Sequence, residues 1–362
     1  MADFLDKLSV VLETRADLRD HLRTDASPGE AYLEQLVRDH WAPLPEAESE
    51  ASWSAYAIDG SVRQANLDNG SYLFVAQALC IGDDGFNESS LDVEVLPSTT
   101  QRDEANRFVD LFQRRRELFL ACEVASSVRV PEGSVLFLDG ALYGLLPQLY
   151  TGSEVVEQLR QHVLHDYLEL LATAARRRIQ IVAVSKTSRE ATHCRLWRRA
   201  LGLAPDEKID LSDSELIHRW TDLQAGVSVP VILGSWGFTG GSRSLLEDPK
   251  IAKSPAIVSF FVRMAEFDDA LRVDVPVTQV GRSQGIADLE GELLSDGLAA
   301  IRHVIDIMRV DYGGTEVYNA LLYSVDREVR LKRAQFNEVY LPLIQDMTGL
   351  PVRTNRSERR FM

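Results

Sequence analysis

The sequence predicts an α/β protein in which a mixed sheet is flanked by helices, with a helical arm before it and additional α/β elements after it. Three observations point there. Between Ser54 and Leu96, three strand-like runs are separated by the turn signals Asp68-Asn69-Gly70 and Asp83-Asp84-Gly85. From Thr100 to Val184, long stretches with helical spacing of apolar residues alternate with short apolar runs. Two of the apolar runs, Tyr56-Ala57-Ile58-Asp59-Gly60-Ser61 and Val135-Leu136-Phe137-Leu138-Asp139-Gly140-Ala141, end alike, on an aspartate followed at once by glycine.

Taken in order, Met1 to His40 reads as two helices broken at Pro28, with Leu5, Leu8, Val11, Leu12 and Leu18 at helical spacing. Pro43, Pro45 and the Glu/Ser run to Ser52 form a linker, so residues 1–52 are a helical arm. Ser54–Asp59, Ser71–Gly82 and Leu91–Leu96 are the first three strands. Thr100–Ser127 is a long helix whose buried stripe is Leu111, Leu118, Phe119, Cys122 and Ala125. Val135–Asp139 is the fourth strand. A Thr151-x-x-Glu154 capping box opens a helix over Tyr150–Arg178, and Ile179–Val184 is the fifth strand. Lys186 follows in a strand-to-helix turn, with Thr187-x-x-Glu190 capping the next helix. This order is that of the ribonuclease H-like fold. Beyond Leu201, Ser212-x-x-Glu215 caps a short helix, Val229–Leu233 and Ile257–Arg263 are strands, and Gly234–Ser244 is a glycine-rich loop. Asp288–Arg309 and Thr315–Tyr340 are helices, the second ending before Pro342. The core domain is 53–340, and 341–362 is a basic tail.

The chain has 362 residues, 45% hydrophobic and 26% charged, which suits an ordinary globular protein. No stretch has the length of a membrane span, and Met1 to Arg23 lacks the apolar core of a signal peptide, so no membrane association is expected. The three cysteines, Cys80, Cys122 and Cys194, are far apart with no C-x-x-C pair. That fits a reducing cytoplasm and argues against disulfides or a zinc knuckle. The net charge of −16 is unusual for a chain that handles nucleic acid, whose footprint is a basic patch. The arginine clusters 114–116, 176–178, Arg195 with 198–199, and Arg353, Arg356, Arg359 and Arg360 read as solvated helix faces or ends rather than contacts.

Asp-Gly is the strongest short hairpin signal, so either pair alone reads as a turn. Two such pairs, each after a buried strand, bring two carboxylates to one sheet edge if the strands are neighbours. Carboxylates that close repel unless a cation lies between them, and oxygen ligands of this kind suit Mg²⁺ or Mn²⁺. Metal ions so held can neutralise a phosphate and activate a water, which is phosphodiester hydrolysis. A third acid is expected from the helix between the strands, Glu117 or Glu123. Lys186 sits where it could stabilise charge on the phosphate. His162, His165 and Asp166 have no third partner and read as a solvated face. Two other chemistries lack their motifs: Asp59 is not part of Asp-x-Asp, and G-x-S-x-G is absent.

Four stretches in this order, Ala57-Ile58-Asp59-Gly60-Ser61, Phe137-Leu138-Asp139-Gly140, Val184-Ser185-Lys186-Thr187-Ser188, and Tyr318 with Asp326 eight residues on, resemble the NurA nucleases from about Trp53 to Lys332. The resemblance implies a ribonuclease H-like core, a ring-like homodimer with a channel for DNA, and an Mn²⁺- or Mg²⁺-dependent nuclease. Such enzymes degrade single- and double-stranded DNA ends 5′ to 3′ and cut single strands. They act in end resection and repair with HerA, a hexameric ATP-driven translocase, and a defence role is compatible with the acidic charge. It implies Asp59 and Asp139 as metal ligands, Glu117 or less securely Glu123 as the helix acid, and Asp326 as the closing ligand. The family commonly has proline after the tyrosine; here it is Asn319. The competing class is a non-catalytic adaptor of the same fold that docks on and regulates the translocase.

Overall fold

The twin Asp-Gly runs lie on neighbouring parallel strands of one mixed sheet. The computed structural model describes residues 2–15, 31–47, 53–149, 154–186, 188–203, 211–294 and 296–355. In chain order, α1 (Ala2–Thr14) and α2 (Ala31–Asp39) precede a two-residue strand, β1 (Trp41–Ala42). Then come β2 (Ala55–Asn66), β3 (Tyr72–Gly82), β4 (Asn87–Leu96), α3 (Arg102–Ser126), β5 (Val135–Asp139), α4 (Glu154–Arg177) and β6 (Gln180–Ser185). The second half adds α5 (Thr192–Ala200), α6 (Asp213–Trp220), β7 (Gly226–Ser228), β8 (Val231–Leu233), β9 (Ile257–Arg263), β10 (Leu271–Pro276) and β11 (Gly291–Leu293). It closes with α7 (Leu298–Val310), α8 (Ala320–Val329) and α9 (Leu341–Thr348).

Strands β2, β3 and β4 form an antiparallel meander, and β5 and β6 continue in parallel on the other side of β2. The resulting order, β4-β3-β2-β5-β6, is the ribonuclease H-like arrangement. The sheet then extends antiparallel through β10 and β9 to β7 and β1, with β8 and β11 branching from β9. Along β5 the side chains alternate. Leu136 and Leu138 enter a core with Leu118 and Leu120 of α3, Val163 and Tyr167 of α4 and Trp197 of α5. Val135 and Phe137 enter a second core with Ile301 and Val304 of α7 and Leu322 and Val325 of α8. A strand buried on both faces reads as a continuous apolar run, which is why β5 stands out in the sequence. Burying each of its large side chains stabilises the strand by roughly 1.5–3 kcal/mol.

The structure departs from several expectations. The first strand does not end at Asp59; it runs to Asn66, paired throughout with β3. Phe119 is not in the buried stripe of α3 but is exposed beneath the Arg116 guanidinium, 4.6 Å from its ring. The helix after β6 starts at Thr192, and Glu190, expected in its cap, instead accepts from Arg272. Thr187, and Thr151 of the other capping box, lie outside the described residues, as do Pro28, residues 48–52 and the arginines at 356, 359 and 360. The first part of Asp288–Arg309 is strand β11, not helix. Thr315–Tyr340 is broken: α8 stops at Val329, and a turn over Phe336–Tyr340 leads straight into α9. Pro342 lies near the start of α9, directly after the π-helical turn Phe336–Tyr340. Strands β1, β7 and β10 are too short, or too polar, to stand out as apolar runs. Among the described residues, no helix is long and apolar enough to cross a membrane.

Residues on either side of the expected 53–340 core pack into it. Leu33, Leu36 and Val37 of α2 are buried, with α2 packed on α5 and α6, and β1 pairs with β7. Leu331, Phe336 and Leu341 cover Ala65, Leu73 and Val75 on the open face of the β2–β3 hairpin.

Candidate catalytic site

The parallel pairing of β2 with β5 stops at Ile58 opposite Leu138, and the next residue of each strand is the aspartate. Ala57 and Phe137, two residues earlier, both face the α7–α8 core, so Asp59 and Asp139 share that face. Beyond this point β5 ends and β2 continues with β3. Asp139 is therefore at a strand end, and Asp59 lies mid-strand where its parallel neighbour has dropped away.

The two glycines make room for α3. A Cβ on Gly60 would lie 2.6 Å from Glu117 Oε1, and one on Gly140 2.7 Å from Arg114 Nη2. Gly140 also turns the chain, at φ +96°. Gly60, by contrast, is ordinary strand backbone, present for close approach rather than for a turn. Arg114 Nη1 donates to Glu117 Oε2 at 2.7 Å and to the Asp139 carbonyl at 3.0 Å. Gln113 Nε2 donates to Glu117 Oε1 at 2.9 Å and to the Gly60 carbonyl at 3.1 Å. These two side chains tie the helix acid to both strands. Glu123, one and a half turns on, is exposed.

Lys186, just past β6, brings Nζ to 3.8 Å from Asp139 Oδ2 and 4.9 Å from the centre of the Tyr318 ring. Asn319, in the place of the expected proline, caps α8: its Oδ1 accepts from Leu322 N at 2.8 Å. The far end of α8 is held by Gln77 Nε2 donating to Val329 O and by Leu331 N donating to Ser61 Oγ. Asp326 thereby comes to the same edge, half-buried, 3.5 Å from Arg330.

Electrostatics follow from this crowding. Asp59 is 6% exposed. Burial, then the charges of Asp139 and Glu117, push its carboxyl up to about 7, against the pull of the Gly60 N–H and with a small push from Asp326. Burial raises Glu117 despite Arg114 and Gln113, and raises Asp139 despite Lys186 and Arg114. Burial together with Asp139, Asp59 and Asp326 raises the Tyr318 phenol. Buried acids whose charges repel one another are a donor set whose ionised form a hard divalent cation would favour. Among the described residues no three such side chains close on one point as in a formed metal centre. Glu117 is turned onto Arg114 and Gln113, and Asp139 toward Lys186.

The structure thus brings Asp59, Glu117, Asp139, Lys186 and Asp326 to one edge. His165 stays out in solvent beside Asp166, and neither joins them. The arginine runs are only in part the solvated faces expected of them: Arg176, Arg178, Arg195, Arg199 and Arg353 are exposed, and others are not. Arg114 is in the site, Arg116 is buried against Ser90 and Phe119, Arg177 caps the carbonyls of Ala125, Ser127 and Val130, and Arg198 is buried over Tyr32. Sequence reasoning missed Arg114 and Gln113. Their i,i+3 and i,i+4 spacing to Glu117 was the available signal.

The NurA domain family model matches residues 54–312. No curated protein matches the sequence. Among solved structures, the NurA nuclease from Sulfolobus solfataricus superposes with a TM-score of 0.60 at 15% identity, covering 96% of this chain and 98% of that one. A NurA bound to dAMP and manganese gives 0.55 at 12% identity over 97% and 98% of the two chains. At these identities the structures speak for the fold, and the family match spans most of the chain: the protein belongs to the NurA nuclease family.

Proposed function

We propose that the protein is a divalent-metal-dependent DNA nuclease, using Mn²⁺ or Mg²⁺, that degrades DNA from 5′ ends and cuts single strands. In this reading it acts as a homodimer with a HerA-like hexameric translocase in DNA end resection, repair or defence. The observation that carries the reading is the convergence of Asp59, Glu117 and Asp139 on one edge, each with its pKa raised. The manganese and dAMP held by a NurA of the same fold support the choice of metal and substrate.

Asp59, Glu117, Asp139 and Asp326 would hold the ion. When bound, it would neutralise charge on the phosphate and make a water more acidic. Asp59 Oδ1 already takes the Gly60 N–H at 2.7 Å, which leaves Oδ2 for a cation or a proton. Arg114 and Gln113 each fix one oxygen of Glu117, so this carboxylate is oriented before substrate arrives. Lys186 Nζ, on the exposed side of Asp139, is placed to stabilise charge that develops on a phosphate oxygen. The burial of Asp59 and Glu117 keeps bulk water from the acids and strengthens each of these interactions.

The test is cleavage of end-labelled single- and double-stranded DNA, with RNA alongside, in Mn²⁺, Mg²⁺ or EDTA, with and without the translocase. Metal-dependent cleavage that disappears in Asp59→Ala, while the assembly keeps its mass in solution, is the expected result. Cleavage that survives both EDTA and Asp59→Ala would refute the assignment. Silence under every condition would leave the adaptor role in its place.

A further inference from the structure

Strand β10 carries the most completely bonded buried charge pair in the described structure, and it sits beside the candidate site. Arg272 and Asp274, two residues apart, share one face of β10 and are opposite Ser185 and Ala183 of β6. Both are almost wholly buried. Asp274 Oδ1 accepts from Arg272 Nε at 2.9 Å and from Ser259 Oγ at 2.5 Å. Its Oδ2 reaches beyond β6 and accepts from the backbone N–H groups of Leu142 and Tyr143, both at 3.1 Å, and from Arg272 Nη2 at 3.3 Å. Burial opposes the charge on Asp274, but Arg272, Ser259 and the Tyr143 N–H outweigh it and hold the carboxyl below its ordinary range.

Two chain segments are fixed by this pair. One is the turn Gly140–Tyr143, which begins immediately after Asp139. The other follows Lys186: Arg272 Nη1 is 3.1 Å from Glu190 Oε2. Tyr143 passes the restraint on, since its hydroxyl donates to Gly234 O at 2.8 Å and accepts from Gly237 N at 2.6 Å. A buried ion pair gains little stability over a well-packed apolar pair, so stability alone does not account for it. Its bonds run instead to the two segments that carry Asp139 and Lys186.

We propose that Asp274 is a positioning residue of the site: by clamping the backbone after Asp139, it sets where that carboxylate stands relative to Asp59 and Lys186. This rests on reading the edge as the nuclease centre. Outer contacts that orient metal-binding groups are commonly worth 10–100-fold in affinity or activity. The test is Asp274→Asn in the full chain, with Mn²⁺ binding measured by calorimetry alongside steady-state cleavage of single-stranded DNA. The expected result is Mn²⁺ affinity and kcat each lower by about 10-fold or more, with KM for DNA within about threefold. A folded variant that keeps both within about twofold overturns the proposal.

Hydrogen exchange of the wild-type chain tests the same clamp without a variant. The Leu142 and Tyr143 amides should be protected like those of β5. Exchange at the rate of an open loop would overturn the proposal even if Asp274→Asn fails to fold. If the wild type neither binds Mn²⁺ nor cleaves, the nuclease reading falls and takes the role with it. Protected amides would then show that the clamp exists without that purpose.

Discussion

Asp59 is the residue at which fold and site conflict most directly. Its ordinary pKa of 3.8 rises to about 7 on folding, chiefly through burial and then through Asp139 and Glu117. A carboxyl with a raised folded pKa binds more protons folded than unfolded between about pH 4 and pH 7. Stability from this group therefore falls as pH climbs through that window and is lowest above it. The interval converts to at most about 4 kcal/mol. Asp59→Asn removes the ionisation, so the metal-free variant should match the wild type near pH 4 and melt several degrees higher at pH 8. Mn²⁺ should raise the wild-type melting temperature at pH 8 and that of the variant much less, because a ligand stabilises only the state that binds it. Thermal unfolding across pH, with and without Mn²⁺, reads both effects. A wild-type protein whose metal-free stability rises from pH 5 to pH 8 relative to Asp59→Asn would contradict the assigned environment.

The element that turns a strand pair into a site is α3, and it approaches β2 where Gly60 offers no side chain. A methyl there would stand 2.6 Å from Glu117 Oε1, within repulsive contact. Gly60 has unstrained strand backbone, so alanine is tolerated by the chain itself and the cost falls on Glu117. Gly60→Ala should lose roughly 1–3 kcal/mol of stability by overpacking. It should also lower kcat by about 10-fold or more by displacing an acid held within a narrow geometry. Urea unfolding and single-turnover cleavage separate the two, and a variant with unchanged kcat would mean that Glu117 has no part in the chemistry. The same contact shows what the sequence could reveal. Asp59-Gly60 and Asp139-Gly140 were visible because they close apolar runs, and Glu117 because α3 had to supply an acid. Glu123 stood as the less secure alternative; the packed helix separates the two. The reason for Gly60 was hidden, since glycine in a sequence reads first as a turn and the side chain it accommodates lies more than fifty residues away. Strand β10 was hidden for a related cause. Arg272 and Asp274 break its apolar run, and charges in a strand suggest exposure until partners such as Ser259 and Tyr143 are seen.

For the whole molecule, the meander and the parallel pair were legible because their turns and two-sided burial leave local marks. The second half was less legible because β7 and β11 have three residues each and take their pairing from β9 and β8, not from their own pattern. Charge was legible but its placement was not. A net charge of −16 suggested a chain poorly suited to DNA, and the structure accounts for several arginines that would otherwise count toward binding. Arg114, Arg116, Arg177, Arg263 and Arg272 are committed to carbonyls, carboxylates and hydroxyls within the fold. With these taken up and a net charge of −16, the isolated chain should bind duplex ends weakly and with little counterion release. A plot of log affinity against log salt concentration should have a slope no steeper than about −3, since each neutralised phosphate contributes close to −0.9. Divalent metal should raise the affinity by neutralising the acids at the site. The proposed translocase partner should steepen the slope if it supplies basic surface of its own. Fluorescence anisotropy of the wild-type chain on DNA with uncleavable phosphorothioate linkages measures all three. A slope steeper than about −6 for the chain alone would place an extended basic channel on this protein and remove the electrostatic reason for a partner.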